Sequence, residues 1–171
     1  MKVTLYNAIS IDGFIATPDG NSDWVNEADI PYFEKEIERC GCIIIGRKTF
    51  DQYEGELYPL KGITNIVMTT NPERERKYKD LIFTDKSPGD VLKMVKELGF
   101  EEVLLVGGGT TNASFLDAGL IGEIIVDVHP LVLGEGIKLF ESKSQLTEFE
   151  LVSTKSIDNG LVILTYKKKV N

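Results

Sequence analysis

Several stretches of this chain place small residues and hydrogen-bond donors directly after apolar runs. Leu104-Leu105-Val106 enters Gly107-Gly108-Gly109, and Thr110-Thr111-Asn112 follow. A buried strand running through glycines into a helix lets a ligand approach the backbone, and the helix start offers unpaired N–H groups to a phosphate. This is the physics of a dinucleotide site, although the spacing is neither G-x-G-x-x-G nor Walker A. A tight strand-to-helix crossing would call for the same small residues. Ile43-Ile44-Ile45 likewise ends in Gly46, then Arg47, Lys48 and Thr49. These three can donate to phosphates, or can form an ordinary exposed first turn of a helix. Val67-Met68 leads to Thr69, Thr70 and Asn71, with Arg74 and Arg76 nearby and Glu73 and Glu75 among them. Hydroxyl and amide groups at a strand end suit a 2′-phosphate better than a carboxylate would, which points to NADPH rather than NADH. Finally, Asp12-Gly13 is a turn signal just after the first apolar stretch. It would either fold the following loop over the strand ends as a lid or make a plain surface turn.

These residues need elements to hold them. Lys2–Ile9 alternates as a strand, and Ser10–Trp24 is a long polar loop. Pro31 suits a helix start, and Phe33, Ile37 and Cys40 share one face up to Gly41. Cys42–Ile45 is a strand of the doubly buried kind, followed by a short helix over Arg47–Tyr53. Thr64–Thr69 and Leu81–Thr84 are strands. Ser87, Pro88 and Asp90 start a helix with Val91, Val95 and Leu98 inward and Gly99 as its stop. Glu102–Val106 precedes the glycine triplet and a helix through Ala118. Ile124–Val128 is the next strand, and Phe149–Thr154 and Leu161–Lys167 form a hairpin through Asp158-Asn159-Gly160. Alternating strands and helices predict a three-layer α/β fold, with a mostly parallel central sheet, helices on both faces and a C-terminal antiparallel hairpin. In a parallel sheet the strand ends share one edge, so the donor-rich turns and the lid converge there.

The chain has 171 residues, suited to a single domain over 1–171. Its net charge is −8, unsuited to non-specific nucleic-acid binding. The basic run Lys167-Lys168-Lys169 reads as the solvated end of an edge strand. Cys40 and Cys42 are too few and too close for a disulfide framework, and with one histidine, His129, no metal site is expected. No apolar run approaches the length of a bilayer span, and the first residues lack the core of a signal peptide, so a cytoplasmic protein without membrane contact is expected. His129 reads as structural.

In this order, SIDGFIA (10–16), IIIGRKTF (43–50), NIVMTT (65–70) and VGGGTTNASFL (106–116) resemble the dihydrofolate-reductase-like superfamily. VHPLVLGEG (128–136) and Ser22-Asp23-Trp24 are more similar to its riboflavin-pathway branch, the C-terminal reductase domain of bifunctional deaminase-reductases. The resemblance implies NADPH held by Ala8 and Ile15 at the nicotinamide and by Gly46, Arg47, Lys48 and Thr49 at the pyrophosphate. It places Thr69 and Thr70 at the 2′-phosphate, and Val106, Gly107, Gly108, Gly109, Thr110 and Thr111 around the phosphates. It also implies a proton-handling acid four residues before a Phe, matched by Asp29 and Phe33, with Asp29 as a mere helix cap the alternative. Asp127 stands where dihydrofolate reductases carry a strand Thr, so a second carboxylate would reach the substrate. No H-x-E or P-C-x-x-C deaminase pattern is present, and a basic cluster for a ribose phosphate is hard to find. The implied activity is hydride transfer to a pyrimidine of the riboflavin route, or alternatively to a dihydropterin. The C-terminal hairpin would serve a homodimer. Rivals of another class are a non-catalytic nucleotide-binding module and a hydrolase or transferase, the latter weakened by the absence of a G-x-S-x-G elbow.

Overall fold

The computed structural model describes residues 1–73, 78–141 and 146–169. Arg74, Glu75 and Arg76 lie outside the described residues. In chain order the strands are β1 (Lys2–Ser10), β2 (Phe14–Ala16), β3 (Cys42–Gly46), β4 (Thr64–Met68), β5 (Leu81–Thr84), β6 (Glu102–Leu105), β7 (Glu123–His129), β8 (Ile137–Lys138), β9 (Phe149–Ser156) and β10 (Val162–Lys168). The helices are α1 (Ile30–Cys40), α2 (Arg47–Gln52), α3 (Pro88–Glu97) and α4 (Gly109–Asp117).

The main sheet runs β5-β4-β3-β6-β1-β7-β10-β9. Its first six strands are parallel, and β10 and β9 are antiparallel additions. This is the layout expected from the sequence, and its cause is visible in burial. Cys42–Gly46 is buried at every position because β3 is covered on both faces. On one face, Ile37 and Cys40 of α1 and Phe50 of α2 pack with Tyr6, Ile43, Ile45, Leu104, Val106 and Ile125. On the other, Val91 and Val95 of α3 and Phe115 of α4 pack with Val3, Leu5, Ile44, Val103 and Leu105.

The helix signals behave as their chemistry requires. Ser87 caps α3 by accepting the Asp90 N–H, with Pro88 at the first position. Gly41 ends α1 at φ +64°, a left-handed conformation that costs glycine nothing. Two expectations are corrected. Leu98 is not on the buried face: it is the C-cap residue just past α3 and is 47% exposed. The run Lys167-Lys168-Lys169 does not end an edge strand, since β10 lies between β7 and β9 and β9 is the edge. The loop after β1 also holds structure that its polar composition concealed. Its β2 pairs with β8 in a separate two-stranded sheet, too short to leave a periodic signal.

No helix among the described residues is long and apolar enough to cross a membrane. Cys40 and Cys42 are buried free thiols, and burial pushes Cys42 up to about 12.

Candidate active site

A cleft of about 740 Å3 opens at the C-terminal edge of the parallel strands. β1 supplies Tyr6 and Ala8, two apart and therefore on one face of the sheet. α1 supplies Phe33 and Ile37, α2 supplies Lys48 and Thr49, and β2 supplies Ile15 and Ala16 above. Val106 and Gly108 complete the wall between β6 and α4.

Asp29 lies in this lining and is 6% exposed. Its position comes from a short 3-10 turn, Glu27–Asp29, that precedes α1. The side chain of Asn26 caps that turn by accepting the Ala28 N–H at 3.0 Å, and Asp29 makes no capping bond. Its carboxylate instead accepts a hydrogen bond from the Tyr6 hydroxyl. Burial raises the Asp29 carboxyl above the usual range, and the Tyr6 bond opposes that rise. Burial and the nearby Asp29 carboxylate in turn raise the Tyr6 hydroxyl, so it keeps its proton as a donor.

Asp127 is fully buried on β7, in register with Ala8 of β1. It lies outside the cleft lining, and among the described residues its carboxylate meets no hydrogen-bond donor other than its acidic neighbour Asp29. Burial first, and the charge of Asp29 second, push it up to about 7. Two buried acids this close titrate as a pair, and near neutral pH they retain a proton between them. His129 stands behind them, its Nδ1 3.7 Å from Asp127 Oδ2. Its Nε2 accepts the Asn26 N–H at 2.9 Å, and Trp24 packs edge-on at 5.3 Å between ring centres. Burial holds His129 below its usual range, so the ring is neutral and fastens the loop before α1 to β7.

The other residues expected to bind fall into three groups. Ala8, Ile15, Lys48, Thr49, Val106 and Gly108 line the cleft, as do Asp29 and Phe33. Gly46, Gly107 and Thr111 lie directly behind that lining. The Gly46 N–H donates to the Gly107 carbonyl at 2.6 Å, and a Cβ on Gly46 would run into Thr111 Oγ1. Gly107 has φ +102° and joins Gly108 through a cis peptide. The third group lies outside the lining. Arg47 pairs with Asp51 at 2.7 Å, and Thr69 Oγ1 accepts the Asn71 N–H at 3.1 Å. Thr70 is exposed beyond β4, outside the lining. Gly109 is filled by structure, since a Cβ there would strike the Lys138 carbonyl, and Thr110 donates to Glu141 at 3.0 Å.

Three contributors escaped the sequence reading. Tyr6 could have been found from its two-residue spacing to Ala8. Asn7 and Asn112 could not, because their partners are distant in sequence. Asn112 Nδ2 donates to Asn7 Oδ1 at 2.9 Å and to the Leu139 carbonyl at 3.0 Å, and Asn7 Nδ2 donates to the Val106 carbonyl at 3.2 Å. Together they brace the glycine turn from behind.

The donors of the cleft suit a phosphate-bearing cofactor. A Cβ on Gly108 would come within 3.1 Å of Thr49 Oγ1 and 4.0 Å of Ile15, so the glycine keeps a cradle open between α2, β2 and α4. The nine-residue α4 begins at that cradle, where its first-turn N–H groups have no partner within the helix, and Lys48 adds a positive charge.

Known proteins share this architecture. The RibD C-terminal domain family matches residues 1–163. YyaP of Bacillus subtilis is 29% identical over 178 residues, covering 96% of this chain and 94% of its own. The 2,5-diamino-6-ribosylamino-4(3H)-pyrimidinone 5′-phosphate reductase of Methanothermobacter thermautotrophicus is 25% identical, covering 77% of this chain and 79% of its own. The riboflavin biosynthesis protein RibD of Corynebacterium ammoniagenes is 28% identical, and the match takes in 45% of its length. Among solved structures, a protein of Shewanella sp. PV-4 described under riboflavin biosynthesis superposes with a TM-score of 0.81 at 26% identity, covering 99% of this chain and 100% of that one. Enterococcus faecalis dihydrofolate reductase, complexed with NADP(H), superposes with a TM-score of 0.76 at 17% identity, over 99% of this chain and 97% of that one. At that identity the likeness is one of fold.

Proposed function

We propose, from the premise that this chain belongs to the RibD C-terminal domain family, that it is an NADPH-dependent reductase of a pyrimidine- or pterin-type ring. The observation that carries the reading is Asp29, backed by the fully buried Asp127, in the lining of a cleft that also holds Lys48, Thr49 and Gly108. An acid and a cofactor cradle sharing one cleft are what reduction of a C=N or C=O bond requires. The kinship with a pyrimidine reductase favours the riboflavin-type ring. The placement of Asp29 and Phe33 together on the cleft wall favours the pterin as the second reading.

Lys48, Thr49, Gly108 and the first turn of α4 would hold the cofactor's phosphates, and Ala8 and Ile15 would flank its ring. Bound there, the nicotinamide supplies the hydride. The chain supplies the rest. Asp29 gives its proton to the nitrogen or oxygen of the double bond as the hydride reaches the carbon. Asp127, raised to about 7, keeps a proton available to that pair. Tyr6 fixes the Asp29 carboxyl through its hydroxyl, and the 10–24 loop with β2 excludes water. The same reading takes 1–171 as one domain acting in the cytoplasm on a small heterocycle.

The test is a titration with NADPH, and separately with NADH, following the fluorescence of the cofactor and of Trp24, the only tryptophan. Saturable binding that prefers NADPH is expected. A folded sample that binds neither would overturn the reading and leave a fold without the reaction.

A further inference from the structure

The chain's only histidine, His129, bonds to the strand of one acid and to the turn that carries the other. It is buried on β7, two residues from Asp127 and so on the same face of the sheet. Its partners assign both ring nitrogens. A main-chain N–H can only donate, so Nε2, which accepts the Asn26 N–H at 2.9 Å, carries no proton. In the neutral ring the proton is therefore on Nδ1, which faces the Asp127 main-chain carbonyl at 3.3 Å and Asp127 Oδ2 at 3.7 Å. Asn26 is in turn committed to the Asp29 turn. Its main-chain carbonyl accepts the Asp29 N–H at 3.0 Å, and its side-chain oxygen accepts the Ala28 N–H at 3.0 Å. The same side-chain oxygen also takes the amide of Asn159, from the turn between β9 and β10, at 3.0 Å. A three-residue 3-10 turn has few bonds of its own, so the anchoring of Asn26 sets where Asp29 sits.

We infer that His129 is a positioning residue for the acid pair: as a neutral acceptor it fixes the main chain that leads into Asp29 and leaves the shared proton on the carboxyls. Charging the ring would put a second proton on Nε2, opposite the Asn26 N–H. Two donors would then face each other and the bond that anchors the turn would be lost. The Asp127 carbonyl on its own strand and the Asp29 charge on the facing turn both pull the ring toward the charged form, and burial, the larger influence, opposes them. The occupied Nε2 acts in the same direction as burial. A proton that an imidazole would otherwise take from a neighbouring carboxyl finds no free lone pair there. It stays with Asp29 and Asp127, where the reductase reading, on which this inference rests, needs it as the hydride arrives.

A single histidine makes the test direct. In 15N NMR near neutral pH, without cofactor or substrate, the ring should show one protonated nitrogen, Nδ1, and one bare nitrogen, Nε2. A charged ring, or one with its proton on Nε2, would overturn the inference, and this measurement uses the unaltered chain. Two variants then separate positioning from packing. His129→Gln keeps an oxygen acceptor for the Asn26 N–H and cannot be charged, whereas His129→Leu leaves that N–H unpaired. With 13C-labelled aspartate carboxyls, the Asp29–Asp127 pair of His129→Gln should titrate within about half a pH unit of the parent, and that of His129→Leu about one pH unit or more lower, as Asp29 gains water. Turnover should follow, with kcat about tenfold lower in His129→Leu, close to the parent in His129→Gln, and the NADPH dissociation constant within about twofold in both. His129→Leu matching the parent, or His129→Gln losing as much as His129→Leu, would overturn the inference. The NADPH titration decides the reductase reading separately, because the ring and carboxyl signals need neither cofactor nor turnover.

Discussion

Asp127 holds a buried carboxyl whose one hydrogen-bonding neighbour among the described residues is another acid, Asp29. The proton balance has a sign. The unfolded carboxyl titrates near 3.8 and the folded one near 7, so the folded protein binds the extra proton between those values. The stability this group contributes is complete below pH 3.8 and is lost as pH rises through 7. Asp127→Asn removes the loss. It is expected to raise the unfolding free energy at pH 8 by about 1–3 kcal/mol and to change it little at pH 4, as urea melts at the two pH values would show. Asp29→Asn should slow turnover by about 100-fold or more while leaving the NADPH dissociation constant within about twofold. Equal losses in binding and turnover would remove Asp29 from the proton path. The spacing of Asp29 and Phe33 was legible in the sequence. The Tyr6 hydroxyl that fixes Asp29 was not, because a bond between residues 6 and 29 exists only after β1 and α1 have packed.

At the scale of elements, the glycine turns separate into ligand-facing and structure-facing positions that composition does not distinguish. Gly46 is opposed by the rotatable Thr111 side chain, whereas Gly109 is opposed by the backbone carbonyl of Lys138. Gly109→Ala is therefore expected to cost about 2–3 kcal/mol of stability, because backbone must move. Gly46→Ala should cost less and show itself as weakened NADPH binding, since the displaced Thr111 borders the cradle. Thermal melts and cofactor titration of the two variants check the contrast. Strands and helices were readable wherever one periodicity ran long enough, as in β3 and α3. The β2–β8 pair was not, because strands of three and two residues carry no periodicity.

For the whole molecule, the sheet ends differently at its two sides. β9 carries Leu151 at 53% and Val152 at 48% exposure on a strand that is the sheet's edge among the described residues. An apolar edge of this kind predicts a homodimer, which sedimentation should report, with Leu151→Glu shifting it to monomer. A parent chain that sediments as a monomer would remove the expectation. The parallel order of six strands followed from the alternation of elements. The inner place of β10 did not, because position within a sheet is decided by pairing and not by composition. One further property follows from how the cleft is roofed. Phe14 pairs with Lys138, Leu139 donates its N–H to the Gly13 carbonyl at 3.3 Å, and Glu141 donates to the Gly109 carbonyl at 3.2 Å. The segment that ties down the roof is thus the segment that seats the first residue of α4. Whatever steadies that helix start steadies the roof, so deuterium uptake at Phe14, Ala16 and Leu139 should slow when NADPH is added, and the roof amides become a gauge of occupancy at the start of α4.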